Sequence, residues 1–263
     1  MNNFIFENST KVFYFTATGN SLYVAKRLDE NPVSIPQALK RDNLNFTDDA
    51  IGIVCPVYCG EIPHIVLEFI KKSSFSAPYL YMILTYGNDA TDSAEFTYNQ
   101  CRKIGVDFNY IHSVKMVDNY LPAFDMNEEK ALDKKVDEQL KTVIDDIRNH
   151  KNEIPPSTAE GRKLHKRVAK MNKIMPSFNN GKALKIDENK CTGCAVCTQV
   201  CPLGNIIVTA KAQRISKTCE FCLACIHNCP NNAIRLKMDK NTNARYRNEN
   251  VSLQEIIESN NQK

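Results

Sequence analysis

Eight of the chain's eleven cysteines fall between positions 191 and 229, and their order leaves little freedom. They read Cys191-x2-Cys194-x2-Cys197-x3-Cys201-Pro202, then Cys219-x2-Cys222-x2-Cys225-x3-Cys229-Pro230. The same run therefore occurs twice, and the residues after each run also match: Pro202-Leu-Gly-Asn-Ile-Ile-Val against Pro230-Asn-Asn-Ala-Ile-Arg-Leu. A duplicated half-unit with pseudo-two-fold symmetry is expected. The N-terminus, MNNFIFENST, has neither a basic start nor a long apolar stretch, so no secretory signal is expected. In a reducing compartment, here expected to be the cytoplasm, clustered cysteines serve metal or redox chemistry more often than disulfides.

The spacing carries the chemistry. Three thiolates three residues apart can wrap one face of an iron–sulfur cube, with the amides between them pointing at its sulfurs. The fourth cysteine, followed by proline, leaves the loop on a short helix and reaches the other cube. Residues 183–238 resemble the bacterial ferredoxin with two [4Fe–4S] clusters, a small α+β domain, and no cysteine of the pattern is missing. Crossed ligation gives Cys191, Cys194, Cys197 and Cys229 to one cluster, and Cys201, Cys219, Cys222 and Cys225 to the other. Structural zinc is the other chemistry for clustered cysteines, but its sites pair two ligands, leave a long gap and pair two more. Gly193 lets the backbone approach the first cube. Ala195, Val196, Val200, Ile206, Phe221, Leu223, Ile226 and Ile234 are candidates to exclude water. His227 is expected to be an exposed loop histidine rather than a proton-coupled group.

A second motif lies near the start. Lys11–Phe15 is a β-rich apolar run, followed by Thr16-Ala17-Thr18-Gly19-Asn20-Ser21 and then by apolar residues at helical spacing. A strand, a hydroxyl-rich turn and a helix present backbone N–H groups and the positive end of a helix dipole to an anion. Neither GxxxxGK[ST] nor GxGxxG occurs, so no NTPase P-loop and no dinucleotide site is signalled. The loop resembles the Thr/Ser-x-Thr-Gly-x-Thr/Ser turn that holds the FMN phosphate in flavodoxins.

Strand-like and helix-like segments then alternate, from Ala50–Val54 through Ile62–Ile70, Tyr79–Thr85, Asp92–Ile104 and Phe108–Val117 to an amphipathic helix expected over Asn127–Arg148. Val33-Ser-Ile-Pro is a weak candidate for the second strand. The pattern predicts a doubly wound α/β sheet of five parallel strands, flavodoxin-like, with ligands beyond the carboxyl ends of the strands. Three loops are expected to meet the flavin: Thr16–Ser21; Pro56, Val57, Tyr58, Cys59 and Gly60; and Thr85, Tyr86, Gly87, Asn88 and Asp89. Asn119, just beyond the fifth strand, is a further candidate contact. Tyr58 and Tyr86 are the candidates for ring stacking, in a chain that has no Trp. Cys55 and Cys59 lack the thioredoxin spacing, and a buried free cysteine often serves as a small apolar residue.

Four regions are expected: an FMN-binding domain over 1–155, a basic connector over 156–182, the ferredoxin domain over 183–238 and a polar tail over 239–263. The connector carries seven Lys/Arg and one acid, more than the whole chain's net +4. It reads as a solvated helix face or as a docking strip for an acidic redox partner. No apolar run approaches the roughly eighteen residues of a membrane span, and the modest charge does not point to nucleic acid. Joined in this order, the halves resemble the flavodoxin–ferredoxin fusion proteins of anaerobic bacteria and archaea. The resemblance implies an electron carrier between redox partner proteins, with electrons moving between two [4Fe–4S] clusters and FMN. A flavin-dependent reductase of a quinone or nitro compound is the alternative, and a redox sensor the third reading.

Overall fold

A strand buried on both faces needs apolar side chains at successive positions, and the first half of the chain supplies them. A computed structural model describes residues 10–174, 181–216 and 218–263. In β1 (Thr10–Tyr14), Val12 and Tyr14 enter one core and Phe13 enters the other. In β4 (Ala50–Pro56), Ala50 and Val54 face the first core, while Ile51, Ile53 and Cys55 face the second. With β2 (Val33–Ser34), β6 (Tyr79–Tyr86) and β7 (Tyr110–Lys115), these strands form a parallel sheet of order β2-β1-β4-β6-β7. The order reverses between β1 and β4, which is the flavodoxin-like doubly wound arrangement.

Helices cover both faces. α1 (Asn20–Leu28) and α6 (Val136–Arg148) pack on the first, and α3 (His64–Lys72) and α4 (Ser93–Arg102) on the second. Short α2 (Ile35–Ala38) and the parallel pair β3 (Asn45–Thr47) and β5 (Ser74–Ser76) close one side. There Phe13, Phe46, Phe69 and Phe75 pack ring against ring. The helix expected over Asn127–Arg148 is two helices: α5 (Met126–Ala131) ends before Leu132, and Lys135 takes a left-handed φ of 53° ahead of α6. Glu129 and Lys134, both largely buried, pair at 2.9 Å across the break.

Next comes α7 (Ala159–Ile174), and among the described residues no helix is long and apolar enough to cross a membrane. The cysteine-rich part is a duplication in three dimensions. β8 (Leu184–Ile186), α8 (Val196–Gln199) and β9 (Ile206–Val208) recur 28 positions later as β10 (Ala212–Arg214), α9 (Ala224–His227) and β11 (Ile234–Leu236). The outer and inner strands pair antiparallel, β8 with β11 and β9 with β10. Even the left-handed residues correspond: Gly193 with Phe221, Ala195 with Leu223, and Gly204 with Asn232. The chain ends in α10 (Leu253–Asn260), opened by a capping box between Ser252 and Glu255. Its Ile256 is fully buried in the sheet's first core.

Candidate functional site

The left-handed turns at Ala195 and Leu223 begin α8 and α9, and so carry each cysteine run around a common centre. Cys191, Cys194, Cys197 and Cys229 line one cleft with Thr192, Ala195, Pro230 and Asn231. The Cys225 thiol feels Cys201, Cys222 and Cys219 most among its neighbouring cysteines, and Cys197 least. These neighbours fall along the two quartets expected from crossed ligation, each with three sulfurs from one run and the fourth from the other. Burial pushes the Cys197 thiol up to about 11, and its neighbours Cys229, Cys194 and Cys191 add to this. Burial also pushes Cys222 and Cys225 well above the ordinary thiol value. Such thiols keep their protons until a cation replaces them, as metal ligation does.

Backbone N–H groups are aimed at the sulfurs. Asn205 donates to Cys201 and Ala233 to Cys229, each at 3.3 Å and each four residues on. Phe221 donates to Cys219 at 3.3 Å, and Ala212 to Cys191 at 3.4 Å. Four thiols around a cleft, with N–H donors to the sulfurs, form the donor set of an iron–sulfur cluster. Of the residues predicted to exclude water, Val200, Ile206, Leu223, Ile226 and Ile234 are buried, while Ala195, Val196 and Phe221 are half-buried. His227 is corrected: it is buried, not exposed. Its Nε2 meets the Asn119 carbonyl at 2.9 Å, and its Nδ1 accepts from the Tyr246 N–H at 3.1 Å. Burial pushes its pKa down to about 4.

The second quartet lies against the α/β sheet. Cys222 packs on both cores, and Tyr58, half-buried, shares the second core with it. Beside them, Glu220 accepts from the N–H groups of His64 and Ile65 at the start of α3, at 3.0 and 2.9 Å. Pro56 and Val57 end β4, and Tyr58 bridges to Glu61 across the turn holding Cys59 and Gly60. Cys55 is buried in the second core, and Cys59 is exposed. In the third loop, Tyr86 is half-exposed. Asp118 closes over Gly87, where a Cβ would overlap its carboxyl group, and accepts from the Asn88 N–H at 2.9 Å. Asp89 accepts from the Thr91 N–H at 2.7 Å.

The hydroxyl loop is where sequence and structure part. Thr16, Ala17, Thr18, Asn20 and Ser21 are all buried, and protein groups meet them. Thr16 Oγ1 accepts from the Gly19 N–H at 3.0 Å, and Thr18 Oγ1 from Asn119 Nδ2 at 2.7 Å. Ser21 Oγ shares a hydrogen bond with Thr85 Oγ1 at 2.8 Å. Asn20 Oδ1 accepts from the Tyr246 hydroxyl at 2.6 Å. A Cβ on Gly19 would lie 2.9 Å from Val251 Cβ and 3.0 Å from Asn248 Cβ. The side chains of the loop and the bare face of Gly19, expected to hold an FMN phosphate, are thus met by the chain's own residues. Sequence reasoning assigned no role to Tyr246, Asn248 and Val251, although it expects a short helix around Val251–Ser259, found as α10. The signal available was Val251–Ser259, a short apolar pattern behind a Ser-x-x-Glu cap.

A flavodoxin-like sheet carrying a duplicated four-cysteine unit defines an iron–sulfur protein of ferredoxin type on an α/β support. The 4Fe-4S dicluster domain family matches residues 183–230, and through this segment the chain belongs to the ferredoxins. It is 36% identical over 63 residues to a ferredoxin of Methanothermococcus thermolithotrophicus, across 21% of this chain and 98% of that protein. UacF of Escherichia coli (strain K12), an oxidoreductase by name, is 37% identical over 65 residues, across 22% of this chain. The chain spans only 10% of that longer protein. A Trp repressor binding protein from Bacillus subtilis aligns at TM-score 0.28 and 11% identity, over 41% of this chain and 85% of that one. The strand order, not that likeness, defines the sheet.

Proposed function

We propose that the chain is a one-electron carrier with two [4Fe–4S] clusters. The first is held by Cys191, Cys194, Cys197 and Cys229, and the second by Cys201, Cys219, Cys222 and Cys225. The observation that carries this reading is the doubled C-x2-C-x2-C-x3-C-P run inside the segment matched by the 4Fe-4S dicluster family, and the cleft that brings Cys229 beside Cys191, Cys194 and Cys197 supports the crossing. When bound, each cluster supplies a site that takes and gives one electron. The chain's residues hold the thiolates, tune them with N–H donors and keep water away.

Residues 183–238 are the working domain in this reading, and residues 1–155 are its support. Cys194 is exposed on the open cleft of the first quartet, whereas Cys222 is packed against the sheet. Electrons are therefore proposed to pass between redox partner proteins by way of the first cluster, with the second as an inner store. Anaerobic isolation followed by iron, sulfide and zinc analysis tests the reading. About eight iron atoms per chain are expected from two four-iron clusters, with dithionite bleaching the visible absorbance. Stoichiometric zinc, or half that iron, would overturn it.

A further inference from the structure

The fusion-protein resemblance assigns FMN to the α/β half, and the geometry around the hydroxyl loop points elsewhere. We propose that Thr16–Ser21 is the seat of the chain's own C-terminal strap, residues 246–260, and that the α/β half works without flavin.

A loop that binds phosphate turns its donors toward an open anion site. The carbonyls and side chains of this loop are engaged by the protein itself. Three consecutive carbonyls receive protein donors: Thr16 from Asn260 Nδ2 at 2.9 Å, Ala17 from Asn228 Nδ2 at 3.3 Å, and Thr18 from the Asn248 N–H at 2.8 Å. The side chains that would add phosphate donors are engaged as well. Asn20 Nδ2 donates to the Val117 carbonyl at 3.1 Å, and Asn20 Oδ1 accepts from both Tyr246 and Asn248. Ser21 and Thr18 are taken by Thr85 and Asn119. The bare face of Gly19, with φ of 99°, is the one place where the backbone offers close approach, and Val251 and Asn248 occupy it.

The strap is part of the fold, not a flap laid over it. Ile256 is fully buried in the first core beside residues of β1 and β6. Tyr14 and Ser259 share a hydrogen bond at 2.7 Å, and the Ser34 hydroxyl donates to the Ser259 carbonyl. Gln37 Nε2 reaches the Asn261 carbonyl at 2.9 Å, and Lys26 pairs with Glu255 at 2.7 Å. Loosening the strap would expose Ile256 and leave several buried polar groups without partners at once. Asn119, expected as a further flavin contact, is instead joined through its carbonyl to His227, and His227 to the Tyr246 N–H. Cys222 packs on both cores of the sheet, beside Tyr58 of the loop after β4.

The inference stands apart from the cluster assignment, because flavin content and strap protection are read without reference to iron. The full chain, isolated anaerobically, is incubated with excess FMN, desalted and assayed for acid-released flavin. Only trace flavin is expected, and stoichiometric FMN would overturn the proposal. On the same protein, hydrogen exchange at Asn248 and Val251 is expected to be as slow as in the central strands. Exchange at the rate of an exposed loop would overturn it. Gly19→Ala, whose new Cβ meets Val251, is expected to speed strap exchange about tenfold or more. Unchanged strap exchange in that variant would count against the seat. Should the variant not fold, the first two measurements decide.

Discussion

Gly52 shows how one missing side chain fixes a packing distance. It sits in the middle of β4, and a Cβ there would overlap the Tyr81 ring on the neighbouring strand. Tyr81 is fully buried, so the ring has nowhere to go. Gly52→Ala is expected to cost about 1–3 kcal/mol by overpacking. At roughly 2–4 °C per kcal/mol for a chain of this size, a thermal melt should register the loss clearly, and an unchanged midpoint would contradict the packing argument. His112 offers a pH-dependent test. Burial is the largest influence and holds its imidazole below the ordinary value of 6.5, against the upward pull of Asp146 and Glu153 and with the help of Lys151. Below about pH 6.5 the unfolded chain therefore binds this proton more readily than the folded one. Stability contributed here is present above that pH and is withdrawn as acid is added. In urea titrations at about pH 7.5 and 5.5, bracketing the free imidazole value, His112→Phe should gain on the unaltered protein at the lower pH. A difference independent of pH would remove His112 from the balance.

At the scale of elements, α10 carries more than its composition announces. Ile256→Ala is expected to cost about 2–5 kcal/mol, the range for a buried aliphatic truncation, whereas on a solvated tail it would be close to neutral. Denaturant midpoints distinguish the two directly. The sheet was legible because its strands are apolar at successive positions and its helices amphipathic, and the cysteine runs because ligand spacing is a property of sequence alone. Two features were hidden for physical reasons. The apolar spacing Leu132, Val136, Leu140 runs unbroken through a segment with no Gly or Pro, so one helix was the natural expectation. The break goes with tertiary contact: Gln139 exchanges hydrogen bonds with the Lys115 backbone of β7, at 2.8 and 3.1 Å, while Glu129 and Lys134 pair across the break in a largely buried site and Leu132 is left exposed. The strap was hidden because asparagine side chains donating to loop carbonyls follow no period. The hydroxyl loop was visible as a motif, but which side of it is used, donor or acceptor, depends on residues more than 200 positions away.

On the scale of the whole molecule, the two proposed quartets occupy unlike surroundings, although their cysteine spacings are identical. The first opens to solvent at Cys194 and its cleft, while the second is backed by the sheet through Cys222, Tyr58 and the Glu220 contact with α3. Oxidants that attack a cluster must reach it, and amide hydrogen bonds and burial govern both access and potential. Air exposure of the anaerobic protein should therefore bleach in two phases, the fast one belonging to the first cluster. Single-cysteine variants assign the phases. Cys201→Ser removes a ligand of the second cluster through a residue in the first run, and should leave a species that bleaches at the fast rate with about half the iron. Cys197→Ser should leave the slowly bleaching one. If ligation were not crossed, Cys201→Ser would instead remove the fast phase. A single phase in the unaltered protein would show that the sheet gives the second cluster no shelter, and with it the case for an inner and an outer cluster would fall.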